Sequence, residues 1–132
     1  SEHINDSSYG QIRNAKGYDH NWVLNTFKDG RGDDTSVAAS LYSPETGIML
    51  EVFTNEPGLQ IFTANSLNAR VAGKHGTKYP RHAGVCFESQ KFPDSPTKLT
   101  SHTQGWECSN PYLKPGQEYH GHVAYTFSIR QK

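Results

Sequence analysis

The stretch from Ser36 to Phe53, SVAASLYSPETGIMLEVF, decides the fold of this chain. On both sides of its centre, apolar residues alternate with polar or small ones, and this period of two is typical of a half-buried β-strand. The centre holds Pro44 and Gly47, which favour a turn because proline presets φ and glycine tolerates a positive φ. The stretch therefore predicts a β-hairpin with strands at 36–42 and 48–53.

Three further segments, 59–64, 84–88 and 119–129, alternate in the same way and are predicted to be strands. Turn-forming residues precede two of them, at 55–58 and at 115–116. No segment shows a convincing period of 3.6 residues over ten positions, which an amphipathic helix requires. The chain is therefore predicted to be essentially all-β.

The remaining segments lack a regular pattern. Residues 1–16 are polar and are predicted to form a surface segment, and 91–111 are predicted to be a structureless run. The segment 17–25 is predicted to enter the core, because a solvated loop has little use for Tyr18 and Trp22 so close together.

Length and composition limit the possible functions. The 132 residues suit one domain, and thirteen basic residues balance thirteen acidic ones without a run of like charge. Nucleic-acid binding is not expected, because phosphate neutralisation needs clustered Lys and Arg. No apolar run approaches the ~20 residues that cross a bilayer. The two cysteines are interpreted as free thiols rather than a disulfide framework.

The beginning of the chain gives two further expectations. It starts at Ser1 rather than at Met, which indicates a processed product or a fragment. It shows no signal-peptide pattern, so a cytoplasmic location is expected.

Glu88 is the first candidate for chemistry. It stands where the strand 84–88 runs into a loop that contains Pro93, and it shares a strand face with Cys86 and Gln90. A carboxylate at a strand end can act as a general base. From the residues alone, a solvated or hydrogen-bonded glutamate on a sheet surface is the commoner case.

Other polar groups allow more than one interpretation. Asp19 and His20 lie between aromatic residues, which suits sugar binding, but an Asp that caps a turn and a His that satisfies a backbone carbonyl fit as well. His120 and His122 have a spacing that some metal sites use, yet a site needs three or four ligands, so no metal is expected. Cys86 lies within an apolar strand and is predicted to be inert packing.

Two short motifs carry little weight. Arg31-Gly32-Asp33 resembles an integrin-adhesion motif, but three residues in a polar turn match it often by chance. Motifs for a nucleophilic serine or for a phosphate or dinucleotide cofactor do not occur.

Several longer segments together resemble the aldose 1-epimerase (galactose mutarotase) family. They are GYDHNWVLN at 17–25, SPETGIMLEVFTNEPGLQIFTANSLN at 43–68, HAGVCFESQKFPDS at 82–95 and LKPGQEY at 113–119. They occur in the family's order and with compatible spacing, and separate motifs that agree are more specific than any one of them.

The resemblance implies an antiparallel β-sandwich of the galactose-mutarotase-like supersandwich type. It implies interconversion of the α and β anomers of a free hexose by acid–base ring opening, without a metal or an organic cofactor. Residue by residue, Glu88 matches the family's catalytic base, Asp19 its substrate-binding aspartate and Gln60 its sugar-contacting glutamine.

The resemblance also implies that something is missing. Family members are much longer, and their catalytic acid is a histidine from the half that would precede Ser1. Residues 1–132 are therefore interpreted as a single partial domain, the C-terminal portion of such a sandwich, with a hexose as substrate. Its partner would be the missing N-terminal half or a second copy of the chain.

Two alternatives remain open. The first is a non-catalytic carbohydrate-binding β-sandwich fragment or assembly module, since exposed sheet edges favour association. The second is a glycoside-processing enzyme, which normally needs two carboxylates beside the bond. Asp94 is the nearest second carboxylate to Glu88 in the sequence, but it could simply cap its turn.

Overall fold

The computed structural model describes residues 4, 6, 8–102 and 104–130. These residues form two compact units. The first unit contains the described residues up to Trp22 together with Gln60–Glu88. The second contains Val23–Leu59 and the described residues from Ser89 onward.

The described residues are mostly strands, so the predicted all-β class is confirmed, and the sheets are consistent with part of a β-sandwich. The strands in chain order are β1 (Asp19–Val23), β2 (Phe27–Lys28), β3 (Arg31–Gly32), β4 (Ala39–Tyr42), β5 (Ile48–Thr54), β6 (Gly58–Phe62), β7 (Cys86–Gln90) and β8 (Val123–Ile129). Two short α-helices accompany them, α1 (Gly10–Ala15) and α2 (Ser95–Thr100), with 3-10 turns at Lys74–Gly76 and Glu107–Ser109.

The predicted hairpin is confirmed as β4 and β5, which pair antiparallel with Leu41 opposite Leu50. The turn closes because the Ser43 amide donates to the Ile48 carbonyl at 2.9 Å. Gly47 takes a φ of 72°, the left-handed conformation that its lack of a Cβ makes inexpensive. β8 pairs antiparallel with the other side of β5, so that β5 is the central strand of this sheet.

One face of the sheet β4-β5-β8 is apolar and open. Cross-strand pairing places Leu50 of β5 between Leu41 and Phe127. On β8, Phe127 is 71% exposed and Ile129 is 69% exposed. The apolar face is therefore covered only in part by the described residues.

The first unit holds α1 and most of the sheet with the order β1-β6-β7. α1 ends at Lys16, which adopts a left-handed conformation, and Gly17 follows with a φ of 142°. This reversal leads the chain from the helix directly into β1. A search of the described residues found no helix long and apolar enough to cross a membrane.

One prediction about local structure was wrong, and two were incomplete. The described residues of the segment 1–16 are mostly exposed, as predicted for a surface segment, but they include α1, which was not expected; residues 1–3, 5 and 7 lie outside the described residues. The segment 91–111 contains α2 and a 3-10 turn. Each helix has six residues, fewer than two full turns, and is too short to show a 3.6-residue period. The segment 17–25 is buried at Gly17 and Leu24, whereas Trp22 is 51% exposed on the edge strand β1.

Candidate functional site

The structure brings Asp19 and Gln60 into contact. Asp19 opens β1, Gln60 lies in β6, and the two strands are neighbours in one sheet. The Gln60 side-chain amide donates a hydrogen bond from Nε2 to Oδ1 of Asp19 at 2.7 Å. A carboxylate accepts hydrogen bonds and an amide nitrogen donates them, so this contact also fixes which way the Gln60 amide is turned.

The same contact leaves an acceptor without a donor. Oε1 of Gln60 is buried and has no hydrogen-bond partner among the described residues. A buried polar atom without a partner costs free energy, and such atoms are concentrated where a ligand or water completes the bonding. A sugar hydroxyl is a suitable partner, because it can donate to Oε1 and accept from another group.

A hydrogen-bonded clamp holds the backbone immediately before Asp19. The Tyr18 amide donates to Oγ1 of Thr63 at 2.9 Å, and the Tyr18 carbonyl accepts from Nδ2 of Asn65 at 2.9 Å. Thr63 Oγ1 in turn donates to Oδ1 of Asn65 at 2.7 Å. Since Thr63 and Asn65 follow β6, the clamp ties the strand that carries Gln60 to the residue beside Asp19.

Gly17 is required at this clamp. A Cβ at Gly17 would lie 2.1 Å from Oδ1 of Asn65 and 2.8 Å from Cε1 of His82. Nδ1 of His82 lies 2.9 Å from the Thr63 carbonyl and therefore carries the proton, because a carbonyl only accepts. The clamp was not expected from the sequence, because Thr63 lies inside the predicted strand 59–64 and only Asn65 follows it directly.

The aromatic residues around Asp19 surround a separate cavity of about 510 Å³. By strand alternation Tyr18, His20 and Trp22 point to the opposite face of β1 from Asp19. The His20 ring packs edge-on against Tyr18, and its Nδ1 accepts the Asp19 amide at 3.1 Å. His20 therefore bonds to the backbone as an acceptor from an amide, and not to a carbonyl as one interpretation of the sequence had it.

Glu88 lies in β7, the strand next to β6, so Asp19, Gln60 and Glu88 occupy three neighbouring strands. Its side chain is exposed and has no hydrogen-bond partner among the described residues. Cys86, two residues earlier on the same face of β7, is an exposed free thiol. The prediction that Cys86 is inert packing was wrong, because β7 is an edge strand and this face is open.

The second unit contains a buried carboxylate, Glu56, in the turn that precedes β6. Glu56 is 4% exposed, and its Oε2 lies 2.9 Å from Nζ of Lys91. This contact is an ion pair by distance and charge, without the alignment of a hydrogen bond. The Tyr119 hydroxyl donates to Oε1 of Glu56, and this bond, together with burial, raises the pKa of Tyr119.

The other sequence candidates do not form a site. His122 pairs with Asp34 at 3.1 Å and His120 with Glu118 at 3.3 Å. Among the described residues no three His, Cys, Asp or Glu side chains come together as metal ligands. Asp94 stands at the N-terminal cap of α2 in a left-handed conformation, but its side chain makes no capping bond.

Asp33 of the Arg31-Gly32-Asp33 turn is committed to its own loop. Its carboxylate accepts hydrogen bonds from the side chains of Thr35 and Ser36 at 2.6 and 2.5 Å. These bonds stabilise the ionised form and lower the pKa of Asp33 to about 2. A carboxylate held in this way is poorly placed to bind a partner.

Comparison with known proteins agrees with the resemblance. The sequence model of the family described as "Aldose 1-epimerase" matches residues 2–126. The chain is 34% identical to mouse galactose mutarotase over 113 residues, which is 86% of this chain and 30% of that protein. It is 33% identical to human galactose mutarotase over 113 residues, with the same coverage of 86% and 30%.

A bacterial relative gives a similar result. The chain is 34% identical to the aldose 1-epimerase of Escherichia coli over 116 residues, 87% of this chain and 30% of that protein. The chain thus spans about a third of the length of the curated relatives it matches. The family match covers nearly all of the chain, including the three strands that carry Asp19, Gln60 and Glu88. This chain belongs to the aldose 1-epimerase family.

Proposed function

We propose that this chain supplies the general base and part of the hexose-binding site of an aldose 1-epimerase. The observation that carries the proposal is the hydrogen bond of 2.7 Å between Gln60 and Asp19, on strands adjacent to the one that bears Glu88. In a chain of this family, two side chains that are able to bind hydroxyl groups lie on the same sheet as a carboxylate without a partner among the described residues, and this supports the proposal.

In the proposed reaction Glu88 removes the proton from the C1 hydroxyl of the sugar while an acid protonates the ring oxygen. The C1–O5 bond breaks and the open-chain aldehyde forms. Rotation about C1–C2 presents the other face of the carbonyl, and the reverse proton transfers close the ring to the other anomer. Glu88 is exposed and has no donor bonded to it within the described part of the chain, so its carboxylate is available for the first of these transfers.

Asp19 and Gln60 would hold the sugar during this rotation. Oδ1 of Asp19 is occupied by Gln60, which leaves Oδ2 of Asp19 as an acceptor for a sugar hydroxyl, while Oε1 of Gln60 is buried and has no partner among the described residues. Hydrogen bonds to charged groups are the stronger ones, so Asp19 is expected to contribute more to affinity than Gln60.

The acid of the proposed reaction comes from residues outside this chain. Of its seven histidines, His20 and His82 use Nδ1 in contacts with the backbone, and His120 and His122 lie beside carboxylates. A base without its acid loses about 10²–10⁴-fold in rate, the usual contribution of positioned proton transfer. The chain alone is therefore expected to bind a hexose but to catalyse mutarotation poorly.

A graft tests this proposal. Residues of this chain replace the matching part of the Escherichia coli relative, and the conversion of α-galactose is followed by proton NMR. We expect the graft to be active, Glu88→Gln to lower kcat by about 10²–10⁴-fold, and the matched surface variant Glu45→Gln to have no effect. Folding of each variant is checked by circular dichroism.

Binding to the chain itself is measured independently of turnover. In a Cys108→Ser background, Cys86 is the one remaining thiol, and it shares a face of β7 with Glu88. Galactose is expected to slow the labelling of Cys86, and Asp19→Ala is expected to abolish this protection. A folded graft that keeps its activity with Gln at position 88 would overturn the assignment of the base. Protection without activity in a folded graft would favour the non-catalytic sugar-binding function.

A further inference from the structure

A charged pair lies beside the two strands that carry Gln60 and Glu88. Glu56 is in the turn before β6, four residues ahead of Gln60, and Lys91 is the first residue after β7, three residues beyond Glu88. Nζ of Lys91 lies 2.9 Å from Oε2 of Glu56. The ion pair therefore joins the beginning of β6 to the end of β7, which are neighbours in the sheet.

The Glu56 side chain is fixed in this position. It is only 6% exposed, and its other carboxylate oxygen accepts the hydroxyl of Tyr119. Its own backbone amide donates to Oγ1 of Thr54 at 3.1 Å. A buried carboxylate requires compensation by an opposite charge or by hydrogen bonds, so Glu56 attracts Lys91 strongly to one place.

β7 depends on such a contact more than a central strand does. Among the residues that the structure describes, it is an edge strand of five residues, paired on one side only. Glu88 itself has no side-chain hydrogen bond among the described residues that would hold its carboxylate. The placement of the Glu88 carboxylate then depends on the backbone of β7, and therefore on the contacts at the end of that strand.

We propose that Glu56 and Lys91 are positioning residues, which hold the end of β7 against β6 and so set where Glu88 stands relative to Gln60. The effect on catalysis rests on the proposed function, whereas the effect on β7 does not. A misplacement of about 1 Å in a catalytic group can lower a rate by about 10²-fold, so a tie at this point has a measurable consequence.

Hydrogen exchange measures the positioning directly. In Lys91→Met, we expect the amides of β7 to exchange about tenfold faster or more, while the central strand β5 keeps its protection. Labelling of Cys86 in the Cys108→Ser background is expected to accelerate in parallel. Lys98→Met is the matched control, because Lys98 lies on α2 and forms no ion pair among the described residues.

Two further variants separate positioning from general loss of stability. Lys91→Arg keeps the charge and is expected to restore slow exchange in β7. The double variant Glu56→Gln with Lys91→Met removes both charges, so it folds without a buried uncompensated carboxylate, and it is expected to keep the fast exchange of β7. The proposal would be overturned if the amides of β7 exchanged as slowly in the double variant as in the natural chain. It would also be overturned if the exchange rates of β5 and β7 rose equally.

The catalytic consequence is read in the graft into the bacterial relative. Lys91→Met is expected to lower kcat about 10- to 100-fold with a smaller change in KM, and Lys91→Arg to recover most of the loss. A graft that shows no activity with the natural residues contradicts the proposed function, while the exchange of β7 still decides whether Glu56 and Lys91 position the strand. Faster exchange of β7 with unchanged kcat would contradict the link to Glu88.

Discussion

The exposed carboxylate of Asp33 accepts hydrogen bonds from two residues, and its pKa is therefore below the usual range for an aspartate. The amide and hydroxyl of Thr35 donate to Oδ1 at 3.0 and 2.6 Å, and the hydroxyl of Ser36 donates to Oδ2. Because these bonds favour the ionised form, the pKa falls from 3.8 to about 2.

A folded-state pKa below the unfolded value gives stability that is fully present above pH 3.8 and is lost as the pH falls through about 2. We expect a carbon-13 titration of the Asp33 carboxyl to show a midpoint near 2. Asp33→Asn should unfold more easily than the natural chain at neutral pH, with a difference that disappears below the midpoint. A midpoint near 3.8 would show that the loop is open in solution.

The pKa of Tyr119 is raised, and the cause is again a hydrogen bond, here to Glu56. Its hydroxyl donates to the carboxylate of Glu56, so loss of the proton would remove the bond and create a second negative charge beside the first. Its pKa is therefore raised above 10.0, and the stability it contributes is present below pH 10 and is lost as the pH rises through the folded value.

Spectrophotometric titration of tyrosinate checks this expectation. One tyrosine should titrate later than the others, and Tyr119→Phe should remove that late step. Glu56→Gln should shift the step to lower pH, since an amide no longer repels the phenolate. A titration curve that is identical with Phe at position 119 would contradict the raised pKa.

Single residues also show where sequence reasoning ends. Strand alternation indicated that Gln60 and Glu88 stand on strand faces, and the family motifs suggested their roles. The contact between Asp19 and Gln60 joins residues that are 41 positions apart, and the clamp by Thr63 and Asn65 joins residues 45 and 47 apart. No local pattern carries such contacts, because they arise only when the strands pair.

Among the elements, the hairpin was the most predictable. Its two strands show a period of two, and Gly47 occupies the position that needs a positive φ. The predicted strand at 84–88 begins two residues later in the structure, at Cys86, because alternation indicates a strand but does not fix its ends. The helices α1 and α2 were missed because six residues are too few for their period to appear.

The hairpin turn gives a prediction with a built-in comparison. Gly47 and Gly30 both have positive φ, 72° and 76°. A Cβ at Gly47 would also lie 2.9 Å from the carbonyl oxygen of Arg130, whereas a Cβ at Gly30 meets nothing within 4 Å. Gly30→Ala is expected to cost about 1–2 kcal/mol from backbone strain, and Gly47→Ala clearly more.

Unfolding in urea measures both free energies in one experiment. The comparison is informative because the two substitutions add the same methyl group to the same kind of backbone. Equal losses for the two variants would show that the β8 end of the sheet yields to the added atom.

For the whole molecule, the all-β class could be predicted from period-two segments and the scarcity of helical patterns. The grouping of the described residues into two units could not, because it depends on contacts between segments far apart in the sequence. The apolar face of the sheet β4-β5-β8 is covered only in part by the described residues.

The open apolar face of β4-β5-β8 predicts that the isolated chain associates with itself. Exposed contiguous apolar surface favours association and binds hydrophobic dyes. We expect the 132-residue chain to associate at high concentration in sedimentation velocity, and Phe127→Ser with Ile129→Thr to reduce both association and dye binding.

Val71→Thr is the matched control, because Val71 is 82% exposed but lies outside the strands of this sheet. A chain that stays monomeric and binds no dye would contradict the open face.

The orientation of the Gln60 side-chain amide affects which ligands the proposed site can bind. With Nε2 of Gln60 bonded to Asp19, the other polar atom of its amide is an oxygen, and two of the three residues of the proposed site, Asp19 and Glu88, are carboxylates. Such a surface attracts ligands that donate hydrogen bonds, and it repels ligands that carry a negative charge. We therefore expect free sugars to be accepted and sugar phosphates or uronic acids to be turned away, so that the site distinguishes a sugar before phosphorylation from the same sugar after it.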